Sequence, residues 1–260
     1  MTFILDSGAY SAANSGKPLS LDRYCDFLLD NKAWIDHYIS LDVITTDAPE
    51  IGAAASYSNY RAMRERGLRP VPVFHFGESI SWLKRYLDDG ADYIALGGTA
   101  VLASKAKSLE WYSVAWQQLV TPDNKPIVRV HAFGETDVAI LQAFPWQSAD
   151  SATWMHVLRT RSAMWNGRRV GIDRLSAEEL RMLCALVGAS EEEFLSAGKV
   201  GRTLQTLATA FHYRELCARV RTQQARKHLL GSAGFFSQKA SDKEAISLAP
   251  FQLYLSGSGV

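Results

Sequence analysis

Six short apolar runs, each closing on a polar residue or a glycine, follow one another up to Asp150 of this 260-residue chain, and three of them close on aspartate. They are FILD at 3–6, YISLD at 38–42, PVFH at 72–75, YIALGG at 93–98, IVRVH at 127–131 and the approach to Asp150. Stretches with apolar residues at helical spacing lie between them, at 21–33, 53–66, 79–90, 106–119 and 135–143. Alternation of this kind predicts a parallel sheet, because parallel neighbours must be joined by a crossover, usually a helix. The expected fold class is α/β, a TIM-like (β/α) barrel whose closure is left open, since only six or seven strands are convincing. In such folds the carboxy-terminal strand ends share one face, and chemistry is assembled there from several strands. Asp6, Asp42, His75, Gly97, Gly98, His131 and Asp150 are therefore expected on one face.

Beyond Trp154 the alternation weakens. GRRVGI at 167–172 reads as one further strand, and helices then dominate. Ser176 with Glu179, and Ser190 with Glu193, each spell a capping box. The longest helical stretch runs from about 203 to 229. The expected division is a catalytic barrel core at 1–175, a helical basic segment at 176–230 packed on it, and a loop-rich, partly disordered tail at 231–260. Charge follows the same division. Residues 1–154 hold 13 Lys/Arg against 18 Asp/Glu, a balance of −5, and residues 155–260 hold 15 against 9, a balance of +6. Such asymmetry suggests a nucleic-acid contact on the basic half, although a solvated helical face would carry the same charge. Arg214 with Arg221, and Arg219 with Arg226, recur after about two turns and form two stripes that could flank a polynucleotide.

Several function classes are poorly supported. The three cysteines, Cys25, Cys184 and Cys217, are scattered, with no CxxC and no zinc spacing, which suits a reducing cytosol. No apolar stretch approaches the roughly 20 residues that span a bilayer, and no signal-peptide pattern opens the chain, so a cytoplasmic protein without membrane contact is expected. Neither a G-x-x-x-x-G-K-[ST] loop nor a G-x-G-x-x-G turn is present, which argues against nucleotide hydrolysis and dinucleotide binding. Three carboxylates in one cavity oppose joint ionisation, so Asp6, Asp42 and Asp150 are expected to hold distinct roles: nucleophile, acid or base, and acceptor for substrate. Paired carboxylates suit displacement at a sugar's anomeric carbon, where one of them can form a covalent glycosyl intermediate. Singly, each aspartate reads more readily as a cap or a salt-bridge partner than as a catalyst.

The ordered motifs carry a resemblance. DSGAY at 6–10 resembles the D-[ST]-G-G-[FY] motif of the tRNA-guanine transglycosylases, and LGG at 96–98 resembles the base-binding glycine loop of that family. FHFGE at 74–78 stands where the family has a glutamine-glycine-glycine strand end, with His75 in place of glutamine. VHAFGETDVAILQAFPWQSADSATW at 130–154 resembles the M-G-[VL]-G-T-P segment with its following helix and aspartate-bearing strand. The resemblance covers residues 1–154 and is closest to the short phage and bacterial relatives that insert 7-deazaguanines into DNA.

What the resemblance implies is specific. Asp150 would attack the anomeric carbon, and Asp6 would serve as general acid and base. Asp42 would accept hydrogen bonds from the guanine-like edge, and the backbone of Gly97 and Gly98 would contact the base. Tyr10 and His131 would sandwich the purine, with His131 where the family usually has methionine, and His75 would hydrogen-bond the base. The tRNA enzymes carry a C-x-C-x-x-C zinc subdomain that this chain lacks, so neither zinc nor any other cofactor is implied. The basic stripes of Arg214, Arg219, Arg221 and Arg226 would then supply a DNA grip. The expected activity is base exchange in DNA, guanine out and a 7-deazaguanine such as 7-cyano-7-deazaguanine (preQ0) in, in the cytoplasm or, for a phage protein, the host's. A homodimer is left open. The alternatives are a tRNA enzyme with a different grip, a metal-dependent hydrolase using His75, His131, Asp42 and Asp150, and a binding protein without chemistry.

Overall fold

The computed structural model describes residues 3–45, 47–102, 104–151, 157 and 159–229, without the side chains of residues 101 and 224–229. The tail at 231–260 and Trp154 lie outside the described residues. The chain divides into two compact units, Met1–His156 with Arg214–Phe235, and Val157–Tyr213 with Phe236–Val260.

In the first unit every expected apolar run becomes a strand, and every one is short: β1 (Ile4–Leu5), β2 (His37–Tyr38), β3 (Val73–His75), β4 (Tyr93–Gly97), β5 (Arg129–Ala132) and β6 (Ser148–Ala149). They form two parallel groups in sequence order, β1 with β2, and β3 with β4, β4 with β5 and β5 with β6. A parallel bridge between Ile39 and Val71 links the end of β2 to the approach to β3. Sequential order in a parallel series is what a chain of right-handed β–α–β crossovers produces. Among the described residues no pairing of β6 with β1 closes the series.

Local chemistry explains the helices between the strands. They are α1 (Ala9–Ser15), α2 (Leu21–Asn31), α3 (Pro49–Glu65), α4 (Ile80–Asp88), α5 (Lys105–Trp116) and α6 (Val138–Ala143). Ser20, Ser79 and Ser104 accept hydrogen bonds from first-turn backbone N–H groups of α2, α4 and α5. Asp137 accepts from the N–H of Ala139 and of Ile140 at the start of α6. Each satisfies donors that a helix start leaves unpaired. Proline at the first position opens α3 four residues before its expected start at 53. The short α1 has no apolar periodicity to announce it and was not expected. Buried Cys25, Leu28, Ile35, Leu41, Met63 and Leu68 pack α2 and α3 against the first strands. Ile39, Val71, Val73, Tyr93 and Ala95 form a second cluster, with Ile4 and Phe133 against it.

Strand register decides where the polar strand ends go. Val73, Ala95, His131 and Ser148 are register partners in one row across β3 to β6. Side chains alternate faces along a strand, so residues two apart share a face. His75, Gly97, Phe133 and Asp150 thus form the next row on that same face, at the carboxy-terminal edge.

The second unit has its own core, built from Ala163, Ile172, Leu180, Leu183, Cys184, Phe194 and Ala208. The strand expected at 167–172 forms, as β8 (Arg168–Gly171), but it pairs antiparallel with β7 (Ser162–Trp165) and does not extend the parallel series. Asn166 and Gly167, both at positive φ (46° and 78°), make the two-residue connection that such hairpins favour. Both expected capping boxes are present, Ser176–Glu179 at α7 (Ala177–Val187) and Ser190–Glu193 at α8 (Glu191–Leu195). The longest helix is α9 (Lys199–Leu229). Among the described residues no helix is long and apolar enough to cross a membrane.

Gly98 sits at φ +83°, and a Cβ there would lie 3.0 Å from the backbone nitrogen of Phe76. Gly67 has a similar φ of +79° with nothing within 4 Å of an added Cβ. Gly98→Ala should therefore cost about 1–3 kcal/mol in denaturant unfolding, and more than Gly67→Ala. Equal losses would show that the contact between the ends of β3 and β4 has slack.

Candidate active site at the strand ends

Asp42 follows β2 and is buried, with its two oxygens divided between two neighbours. Ser7 Oγ donates to Oδ1 at 2.9 Å, and His75 Nε2 lies 3.1 Å from Oδ2. The other ring nitrogen of His75, Nδ1, lies 3.1 Å from Glu78 Oε1, and the His75 backbone N–H donates to Glu78 Oε2 at 3.0 Å. The turn after β3 folds Glu78 back onto His75, with the Glu78 N–H donating to the His75 carbonyl. Burial alone would favour a neutral ring. The hydrogen bonds and charges of Asp42 and Glu78 outweigh it and push His75 up to about 9. At neutral pH the ring is an imidazolium with both N–H groups engaged, and the base contact expected of His75 has no unshared ring nitrogen. Asp42 keeps accepting capacity, since each carboxylate oxygen takes about two hydrogen bonds.

Asp150 follows β6 with its side chain about half exposed. The Gly134 N–H donates to its Oδ1 at 2.7 Å, and His131 Nε2 lies 3.6 Å from the same atom. Partial burial opposes its ionisation, but His131 and the Gly134 N–H prevail and hold the carboxyl below the usual range. Asp6, after β1, shifts the other way. Loss of hydration raises its carboxyl, the Gly8 N–H pulls it back, and the charges of Asp42 and Asp150 push it up further. Asp6 thus lies within reach of the charges of both Asp42 and Asp150. Two carboxyls pushed in opposite directions are suited to different roles.

His131 on β5 is 4% exposed, and its ring meets Phe133 edge-on at 4.7 Å. Its Nδ1 lies 2.6 Å from Ser148 Oγ, which lies 2.6 Å from the Tyr93 hydroxyl. A ring so enclosed has little face to offer a purine, so its contacts describe a partner of Asp150 more than one side of a sandwich. Tyr10, in the first turn of α1, is 68% exposed and has a free aromatic face. At Gly97 a Cβ would meet His75 Cδ2 at 3.4 Å and Phe133 Cβ at 3.5 Å, ordinary van der Waals contact.

The strand ends thus bring together Asp6, Asp42, His75, Gly97, Gly98, His131 and Asp150. Sequence reasoning missed Glu78, Ser7, Ser148 and Tyr93. The H-x-G-E spacing at 75–78 was a readable signal for Glu78, whereas Tyr93 and Ser148 meet across β5 and leave no sequence trace. Among the described residues no group of three His, Cys, Asp or Glu side chains has the geometry to hold a metal ion.

On α9, Arg214, Arg219 and Arg221 are exposed while Leu216 and Val220 are buried, which divides the helix into a basic and an apolar side. Arg214 pairs with Glu215 at 3.2 Å. The side chain of Arg226 lies outside the described residues. No protein-family model matches the chain, and no curated protein matches it.

The raised His75 makes stability depend on pH with a defined sign. Between the ordinary value of 6.5 and about 9 the folded state holds a proton that the unfolded state releases. The stabilisation is complete below the lower value and is lost as pH rises through the upper one. The stability advantage of the native protein over His75→Gln should therefore shrink from pH 6 toward alkaline pH, read from parallel denaturant titrations. A constant difference would mean that Asp42 and Glu78 do not clamp a charged ring.

Proposed function

We propose that this protein is a DNA-guanine transglycosylase, exchanging guanine in DNA for a free 7-deazaguanine base such as preQ0 through a covalent aspartyl intermediate. The observation that carries the reading is the pair Asp6 and Asp150: two strand-end carboxyls near enough to feel each other's charge, one raised and one lowered. Base exchange needs that division, an ionised nucleophile beside a carboxyl that can give and take a proton. The motif resemblance of residues 1–154 supplies the substrate class. The sequential parallel strands support a TIM-like barrel, complete or not, as the scaffold, and the cytoplasm is the proposed site of action.

The steps follow from the atoms. Both fixed contacts of Asp150 fall on Oδ1, leaving Oδ2 to attack the anomeric carbon. As the new C–O bond forms, the glycosidic C–N bond breaks, and its electron pair leaves with guanine, which takes a proton from Asp6. The incoming deazaguanine then loses its ring proton to the Asp6 carboxylate, and its nitrogen attacks the same carbon. The ester C–O pair returns to Asp150. Asp42, steadied by Ser7 and His75, accepts from the amino group and ring N–H of the base, and Tyr10 stacks on it. A duplex substrate would flip its nucleotide out, at an unstacking cost of a few kcal/mol. The exposed arginines of α9 contact phosphates.

Exchange assays with guanine-labelled DNA and tRNA, each with preQ0, test the reading. Label loss from DNA alone is expected; loss from tRNA alone would reassign the nucleic acid, and loss from neither would remove the activity. Asp150→Ala should abolish a denaturant-resistant protein–DNA adduct while leaving binding intact, and an adduct that survives would remove Asp150 from the nucleophile's role. Arg219→Glu with Arg221→Glu should weaken DNA binding and flatten its salt dependence, by about one unit of slope per lost phosphate contact. An unchanged slope would place the DNA elsewhere.

A further inference from the structure

We infer that Tyr93, Ser148 and His131 form a relay that fixes the His131 tautomer and aims its Nε2–H at Asp150, making His131 the residue that positions the attacking carboxylate. The inference rests on the role proposed for Asp150, and it gives two further residues, Tyr93 and Ser148, a part in the site. Tyr93 on β4, His131 on β5 and Ser148 on β6 share one sheet face, with His131 and Ser148 in direct register.

Hydrogen-bond direction carries the argument. The two links of the relay, Tyr93 hydroxyl to Ser148 Oγ and Ser148 Oγ to His131 Nδ1, are each 2.6 Å. Each hydroxyl has a single proton to give. If Tyr93 donates to Ser148, then Ser148 donates to Nδ1, and the ring proton must sit on Nε2, facing Asp150 Oδ1 at 3.6 Å. In a neutral ring the reverse direction would set the bare lone pair of Nε2 against a carboxylate, which is repulsive. At 3.6 Å the contact is longer than a formed hydrogen bond, and contacts of this kind tighten as the reacting groups move. With the Gly134 N–H on the same oxygen at 2.7 Å, His131 sets the carboxylate plane and leaves Oδ2 for attack.

The first link is held rigidly. Tyr93 is 4% exposed; its ring meets His37 edge-on at 5.2 Å and lies under the Arg129 guanidinium at 4.7 Å. A relay anchored by a locked aromatic ring holds its geometry without being reordered in each turnover. Asp150 gains most from this relay when the ester bond breaks, because the returning electron pair meets a donor already in place.

Nitrogen NMR of the ¹⁵N-histidine-labelled full-length protein tests the relay directly, with the His131 signals assigned by their loss in His131→Gln. With pH raised until the ring is neutral, the native protein should show it protonated on Nε2, and both Ser148→Ala and Tyr93→Phe should shift it toward mixed tautomers. Tyr93→Phe keeps the ring packing, so it serves if Ser148→Ala fails to fold. A neutral ring protonated on Nδ1 in the native protein, or a tautomer unmoved by both variants, would overturn the inference. In single-turnover reactions with guanine-containing DNA, Ser148→Ala should slow adduct formation, by up to about 100-fold, with DNA affinity unchanged. Glutamine places an amide donor near Nε2, so adding His131→Gln should restore most of the rate; failure of that rescue would count against the positioning role. The tautomer needs no substrate, so absence of exchange in the native protein would remove the proposed activity and leave the relay to stand or fall by the NMR alone.

Discussion

Crowding of carboxylates at one edge of a parallel sheet is the constraint on which this site turns. Asp6, Asp42 and Asp150 leave β1, β2 and β6 toward the same neighbourhood, and like charges there resist one another. The fold answers with imidazoles from the intervening strands, His75 beside Asp42 and His131 beside Asp150. Asp6 loses hydration and has the backbone N–H groups of Gly8 and Ser7 against that loss, and it is the carboxyl that rises. Unequal compensation makes three similar side chains chemically different.

Compensation of this kind works only if the partners cannot drift. Glu78 grips His75 at both its ring and its backbone, so the ring is fixed between two carboxylates. On the other side, the Gly134 N–H and His131 meet one oxygen of Asp150. Gly98 belongs to the same edge, because its positive φ and a Cβ 3.0 Å from the Phe76 nitrogen leave little room for a side chain. A buried charged network is costly unless each member is satisfied, and here the partners of Asp42 and His75 are named on both sides.

The second unit follows different rules. Its stability rests on a core of its own and on helix starts capped by Ser176 and Ser190, and its hairpin turns through Asn166 and Gly167. The same sequence features that once read as one more barrel strand at 167–172 belong to that hairpin. A run such as RRVGI is short enough to fit either a parallel or an antiparallel neighbour, and only the partner decides. The Asn-Gly step before it was the local signal for the hairpin.

By itself, the sequence determined the alternation of strands and helices up to Asp150, the residues that end each strand, the capping boxes and the amphipathic course of α9. These features are local: apolar period, turn residues and caps act within a few positions of one another. The meeting of Asp6 with Asp150, and the gathering of His75, Gly97 and His131 beside them, could be expected from parallel strands sharing one face. What each group does there could not. The contact of His75 with Asp42, the enclosure of His131 beside Asp150, and which carboxyl rises all depend on neighbours from other strands. Tertiary structure decided those matters, because charge and hydrogen bonding act across space between strands whose register no stretch of sequence records.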